Sequence, residues 1–168
     1  MKLEVLSRET AGAEASAPLL FVHGSSHAAW CWDEHFLPWF ATEGFNAYAV
    51  SLRGHGKSEG SDRLRWTSVS DYVDDVRSVA LRLPGAPVLI GHSLGGLVVQ
   101  KYLERYTASG AVLLAPSPVL APDEAVRNSS HWAQKVGDRP NAVHRDERLR
   151  YAAHRWVTDP ARVNVIRS

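Results

Sequence analysis

Four short apolar runs, at residues 19–22, 46–52, 88–90 and 111–115, constrain what this chain can fold into more than any other feature. Each is bounded by turn residues and too apolar for a sheet with one wet face, so the four predict strands covered on both sides. Segments of helical period separate them, the alternation of a parallel sheet wrapped by helices. Residues 29–42 space Trp32, Phe36, Trp39 and Phe40 on helical turns and stop at Glu43-Gly44. Ser70-Asp71 offers a helix start ahead of Tyr72, Val73, Val76, Val79, Ala80 and Leu83, and Pro84-Gly85 ends it. A third helix is predicted from about Leu94 to Tyr106, and residues 3–6 read as an antiparallel edge strand. The fold class is therefore α/β, a mostly parallel sheet with helices on both faces.

At 168 residues and 45% apolar content the chain can build one core of ordinary size. Nineteen basic against 18 acidic side chains leave a net charge of +1, without the basic field that nucleic acid or an anionic membrane would require. Cys31 is the single cysteine, which excludes an internal disulfide and a cysteine-based metal site, and it reads as a small buried hydrophobe. The start of the chain shows no signal stretch and no window suits a membrane span, so a cytoplasmic protein is expected. Near Pro116 the pattern changes. Pro116, Pro118 and Pro122 interrupt structure, the charge balance turns from acidic to basic, and only residues 145–157 keep a helical stripe. These signals predict a core over residues 1–118 and an atypical, partly helical tail over 119–168 without strands.

Chemistry concentrates at Gly91-His92-Ser93-Leu94-Gly95, a Gly-x-Ser-x-Gly pattern lying directly after a predicted strand and directly before a predicted helix. A sharp strand-to-helix turn there would push Ser93 outward at the carboxyl edge of the sheet. Side chains at Gly91 and Gly95 would collide with such a turn. The helix start beside Ser93 offers the Leu94 N–H to a developing oxyanion, and the loop His23-Gly24-Ser25-Ser26 after the first central strand can offer the Ser25 N–H. Ser93 is the candidate nucleophile, Ser25 and Leu94 the candidate oxyanion donors, and Gly24, Gly91 and Gly95 the glycines that let the loops approach. His23 reads as a residue that shapes its loop. His92 should point away from Ser93, and the Trp30, Trp32 and Trp39 cluster reads as helix packing, with lining of an acyl pocket the alternative for Trp30 because it follows the loop. Ser51 to Ser58 comes close to a phosphate loop but lacks its first glycine, and Glu59 to Arg63 reads as loop where a helix is needed. Gly91 to Gly96 fails the dinucleotide fingerprint because Ser93 occupies the second glycine.

Between Leu19 and about Pro118 the residues resemble the α/β-hydrolase superfamily, in its lysophospholipase, monoacylglycerol lipase and esterase-like branches. The resemblance is carried by the His-Gly loop, the Trp-rich segment after it, the stretch Arg53-Gly54-His55-Gly56-Lys57-Ser58 and the turn at Ser93. It implies a carboxylic ester hydrolase of small molecules in which Ser93 is acylated and the acyl-enzyme is then hydrolysed, with no metal and no cofactor. It also implies an acid and a histidine after the serine. The chain reads as truncated after the sixth core strand and lacking the family's last strands, which would leave residues 111–115 as an apolar edge, to be covered by the tail, by self-association or by a complementing chain, or else left open in a remnant that folds poorly. Asp123, Glu124, His131, His144 and His154 are the titratable groups in the tail that matter for this question; each reads as a solvated side chain, and neither acid nor base is assigned. The alternative is a non-catalytic truncated α/β-hydrolase acting as a binding or assembly module.

Overall fold

The computed structural model describes residues 1–10, 16–117 and 163–166. The chain divides into two units, Met1–Ser117 with Arg162–Ser168, and Pro118–Ala161; every described residue belongs to the first. In chain order this unit contains β1 (Val5–Arg8), β2 (Leu19–Val22), α1 (Trp30–Asp33), α2 (Phe36–Thr42), β3 (Ala47–Val50), a 3-10 segment (Ser61–Trp66), α3 (Val69–Ala80), β4 (Val88–His92), α4 (Leu94–Leu103), β5 (Gly110–Leu114) and β6 (Val163–Ile166). They form one six-stranded sheet in the order β1-β3-β2-β4-β5-β6. The four central strands are parallel, while β1 and β6 run antiparallel to their neighbours.

Strand periodicity sorts the side chains between the two faces. Leu20 and Val22 of β2 share a buried cluster with Tyr48 and Val50 of β3, Leu89 of β4, Val73, Val76 and Val79 of α3, and Val98, Val99 and Tyr102 of α4. Phe21, between them, packs on the other face against the rings of Trp32, Phe40 and Phe36, at 5.0, 5.6 and 6.1 Å between centroids. The runs predicted from the sequence are thus strands covered on both sides, with helices on both faces.

Several boundaries differ from the sequence expectation, each for a local reason. Residues 29–42 form two short helices instead of one. Pro38 has no N–H, and its ring would strike the carbonyl of residue 34 in a continuous helix. The chain breaks at His35 (φ −135°, ψ −46°), so that Pro38 falls in the first turn of α2. The start of α3 is capped by Ser68, not by Ser70. Ser68 Oγ accepts the Asp71 N–H at 3.2 Å and Asp71 Oδ2 accepts the Ser68 N–H at 2.8 Å, a reciprocal capping box. The edge strand β1 lies at 5–8 instead of 3–6. After Ser58 the segment expected to stay loop through Arg63 turns into the 3-10 segment, and the next α-helix begins only at Val69.

The tail contains a strand where none was expected. β6 pairs with β5 in the register Leu114↔Val163 to Ala111↔Ile166, so the outer side of β5 is hydrogen-bonded to the tail, one of the expected coverings of that edge, but through a strand. Val163, Val165 and Ile166 are too short a run to stand out from the sequence without a partner. The helix expected over 145–157 lies outside the described residues, as do Asp123, Glu124, His131, His144 and His154.

Candidate active site

Ser93 occupies the single residue between β4 and α4, with φ 52° and ψ −116°. A side chain in that region costs roughly 1–3 kcal/mol and persists only where the surroundings over-determine it. Here they do. The Ser93 N–H donates to the Leu114 carbonyl at 3.1 Å, and the Ser93 carbonyl accepts the N–H groups of Ser117, Gly96 and Leu97 at 2.9, 3.0 and 3.2 Å. The end of β5 thus grips the turn from both sides of one residue, and Ala115, at φ 41°, bends the chain to let Ser117 reach back.

The glycines around this turn are demanded by space. A Cβ on Gly91 would lie 2.7 Å from the Gly95 carbonyl carbon, and one on Gly95 would press on the Val22 carbonyl oxygen and lie 2.6 Å from that of His23. Helix α4 therefore starts hard against the end of β2. A Cβ on Gly24 would lie 3.2 Å from Ser93 Cβ and 3.1 Å from His92 Nδ1, so the loop after β2 runs alongside the serine. Ser93 and Leu94 are half-buried and Ser25 is exposed.

The loop after β2 is held by His23, which is fully buried. Its Nε2 accepts the Leu52 N–H at 3.0 Å, which requires that atom to carry no proton; Nδ1–H then donates to the Gly24 carbonyl at 2.7 Å. Burial above all, and then the neighbouring His55, His27 and His92, lowers its pKa to about 3 against the opposing effect of the Gly24 bond. The Gly24 carbonyl also accepts the His27 N–H at 3.1 Å. Because the peptide is trans, a carbonyl fixed on that side turns the Ser25 N–H the opposite way. Neither the Ser25 nor the Leu94 N–H meets an acceptor among the described residues.

His92, next to the serine, packs its ring 6.0 Å from that of His27, and burial followed by the charge of His27 lowers its pKa to about 4. Trp30 is half-buried, its ring 5.9 Å from that of His27. Burial pushes the Cys31 thiol up, away from a nucleophile's range. Among the described residues no group of three His, Cys, Asp or Glu side chains is arranged to hold a metal, and no helix is long and apolar enough to cross a membrane.

Two supports were not legible beforehand. Arg53 anchors the turn after β3 to α3: its Nη2 meets Asp75 Oδ1 at 2.8 Å, its Nη1 meets Asp71 Oδ1 at 2.7 Å, and its own N–H donates to Asp75 Oδ2 at 2.9 Å. Asp75 is buried, a lone carboxylate among Tyr72, Val76 and Val79 on the apolar face of α3. That interruption of the stripe was the signal. Glu4 is the second support, its carboxylate accepting from Ser51 Oγ at 2.7 Å and from the Lys57 N–H at 3.0 Å. With Ser58 Oγ donating to the Ser51 carbonyl at 2.6 Å, the near-phosphate loop is committed to internal bonds.

The alpha/beta hydrolase family model matches residues 19–167. The chain belongs to the alpha/beta hydrolase family. Within it, the chain is 36% identical over 112 residues to the pFDCC methylesterase of Arabidopsis thaliana, covering 64% of this chain and 42% of that protein. It is 38% identical over 114 residues to the bifunctional esterase/perhydrolase of Acinetobacter calcoaceticus, covering 62% and 38%. A monoacylglycerol lipase of Mycolicibacterium smegmatis is 31% identical over 97 residues, covering 55% and 34%. The chain thus spans between a third and a little over two fifths of the length of these family members. The same fold is seen in the N-acyl homoserine lactone degrading enzyme Est816, at TM-score 0.63 and 18% identity, covering 95% of this chain and 63% of that one. An epoxide hydrolase of Vigna radiata matches at TM-score 0.61 and 21% identity, covering 76% and 42%.

Proposed function

We propose that this alpha/beta hydrolase chain carries the nucleophile half of a serine esterase acting on small carboxylic esters, with Ser93 as nucleophile and the backbone N–H groups of Ser25 and Leu94 as oxyanion donors. The observation that carries the reading is the positive φ of Ser93 between β4 and α4, with the Gly24 loop in contact beside it. In this reading the Ser93 hydroxyl attacks the ester carbonyl and loses its proton to a base. The carbonyl oxygen becomes negative where the two N–H groups and the N-terminal end of α4 converge, and the alcohol leaves as an acyl-serine forms. Water then attacks the acyl-serine, releases the acid and restores the hydroxyl. The names of the methylesterase, the esterase/perhydrolase and the lipase support an ester as the substrate class. His23 does not serve as the base, because both its ring nitrogens are engaged by backbone groups.

Incubation of the chain with a fluorescent fluorophosphonate tests this directly. Labelling of the wild type that disappears in Ser93→Ala supports the reading. A folded wild type that remains unlabelled favours the alternative, a non-catalytic binding or assembly module.

A further inference from the structure

The Nδ1 atom of His55 lies 3.0 Å from the Arg53 carbonyl oxygen, and its Nε2 atom lies 3.1 Å from the Ser25 carbonyl oxygen. Both neighbours are acceptors with no proton to give, so each ring nitrogen has to donate if both contacts are to be hydrogen bonds. A neutral imidazole has one N–H; the imidazolium has two. We propose that His55 is a positioning residue for the Ser93 site, its imidazolium donating to both carbonyls and tying the turn after β3 to the loop that presents the Ser25 N–H. The inference rests on the reading of that N–H as an oxyanion donor.

Ser25 is exposed, so burial does little to fix its backbone. Its two flanking peptide planes do the fixing instead. His23 holds the plane that contains the Gly24 carbonyl and the Ser25 N–H, and His55 holds the next plane through the Ser25 carbonyl. With both planes fixed, the φ and ψ of Ser25 are fixed as well. With the second plane released, the ψ of Ser25 is no longer fixed from that side and the N–H keeps only the two bonds to the Gly24 carbonyl that hold its own plane.

Titratable and charged groups reach the neighbourhood of the ring from several elements. From the end of β2, the His23 ring stands 5.0 Å away and is neutral by its own bonding. From α3, the Tyr72 ring meets His55 edge-on at 6.0 Å. Arg53, two residues earlier on the same turn, has its charge taken up by Asp75 and Asp71 of α3. Glu4, from the residues before β1, brings a carboxylate to Lys57 on that turn. His27 shares the loop with Ser25, and His92 at the end of β4 is held neutral by burial at ordinary pH.

The experiment is a pH titration of the whole chain followed by 1H–15N NMR, between about pH 5 and pH 8, the range in which histidines change charge. The probe is the Ser26 amide, which shares a peptide group with the Ser25 carbonyl. In the wild type, the Ser26 resonance should move with the same midpoint as the His55 ring resonances. In His55→Phe and in His55→Gln, whose amide donates without titrating, that movement should be lost. A Ser26 resonance that ignores the His55 ring in the wild type overturns the proposal whether or not the variants fold. Equal movement in the variants overturns it too.

A second arm compares fluorophosphonate labelling of Ser93 in wild type and His55→Phe. The rate ratio should be about tenfold larger at the acidic end than at the basic end, a fraction of what loss of a whole oxyanion donor costs; a ratio that is flat with pH overturns the link to the site. Absence of labelling in every protein sinks the nucleophile reading alone, because the Ser26 titration decides the clamp without any reaction at Ser93.

Discussion

The backbone N–H of Ser117 donates to the carbonyl oxygen of Ser93 at 2.9 Å, which fastens the strained turn after β4 to the chain leaving β5. The backbone conformation of half-buried Ser93 thus depends on a strand that comes later in the sequence. Positions that look merely structural should therefore have measurable effects on the site.

Gly95→Ala should be among the most damaging substitutions that add one carbon. The new Cβ would meet two carbonyl oxygens of β2 and its loop, which are backbone and cannot rotate aside. Overpacking of this kind costs about 1–3 kcal/mol, and the rigid neighbours put this site at the upper end. A lowered urea midpoint with an unchanged slope is the expected result; wild-type stability would show that α4 can shift away from β2.

Replacing Asp75 by alanine should destabilise the fold by about 1.5–3 kcal/mol, because it removes the buried acceptor of the Arg53 guanidinium and leaves it only Asp71. Asp75 is 2% exposed and its carboxylate accepts four hydrogen bonds from Arg53. Adding Arg53→Leu to the variant should restore part of the loss. The double-mutant cycle, read by urea unfolding, separates the ion pair from the rest.

Stability should decline on acidification before the carboxylates titrate. His23 and His92 have folded-state pKa values lowered to about 3 and about 4 from an unfolded value of 6.5. Their contribution is complete above the unfolded value. It is lost as pH falls toward the folded values, since the unfolded chain binds protons that the folded chain refuses. Between these limits each histidine contributes a slope of up to about 1.4 kcal/mol per pH unit. Urea midpoints measured from pH 7 to pH 4.5 should therefore fall in wild type and fall less steeply in His92→Asn.

Ser68→Ala should cost about 1 kcal/mol through loss of the capping box, and Ser70→Ala much less. Thermal melts of the two variants decide which serine starts α3.

The central strands were legible because burial on both faces forces unbroken apolar runs, as at 19–22. The turn at Ser93 was legible because its glycines sit at fixed offsets from a strand end. The break at His35 could have been read from Pro38, but the aromatic spacing concealed it. The pairing of β6 had no local signature, since a four-residue strand is defined by what lies beside it. Of the site's supports, the clamp of Arg53 on Asp75 left only an anomalous carboxylate in an apolar stripe, and the contacts of His55 left nothing, because they run to carbonyls that every residue possesses. Main-chain partners chosen by tertiary approach are invisible to a reading of side-chain types.

Strand β1 runs against its neighbours, with Val5 opposite Val50, so the opening residues emerge at the rim where the parallel strands finish. Lys2 accepts the Glu59 N–H there through its carbonyl, and Glu4 reaches the neighbouring turn. Any residues attached ahead of Met1 would therefore begin their path at the same end of the sheet as Ser93, on its β1 edge.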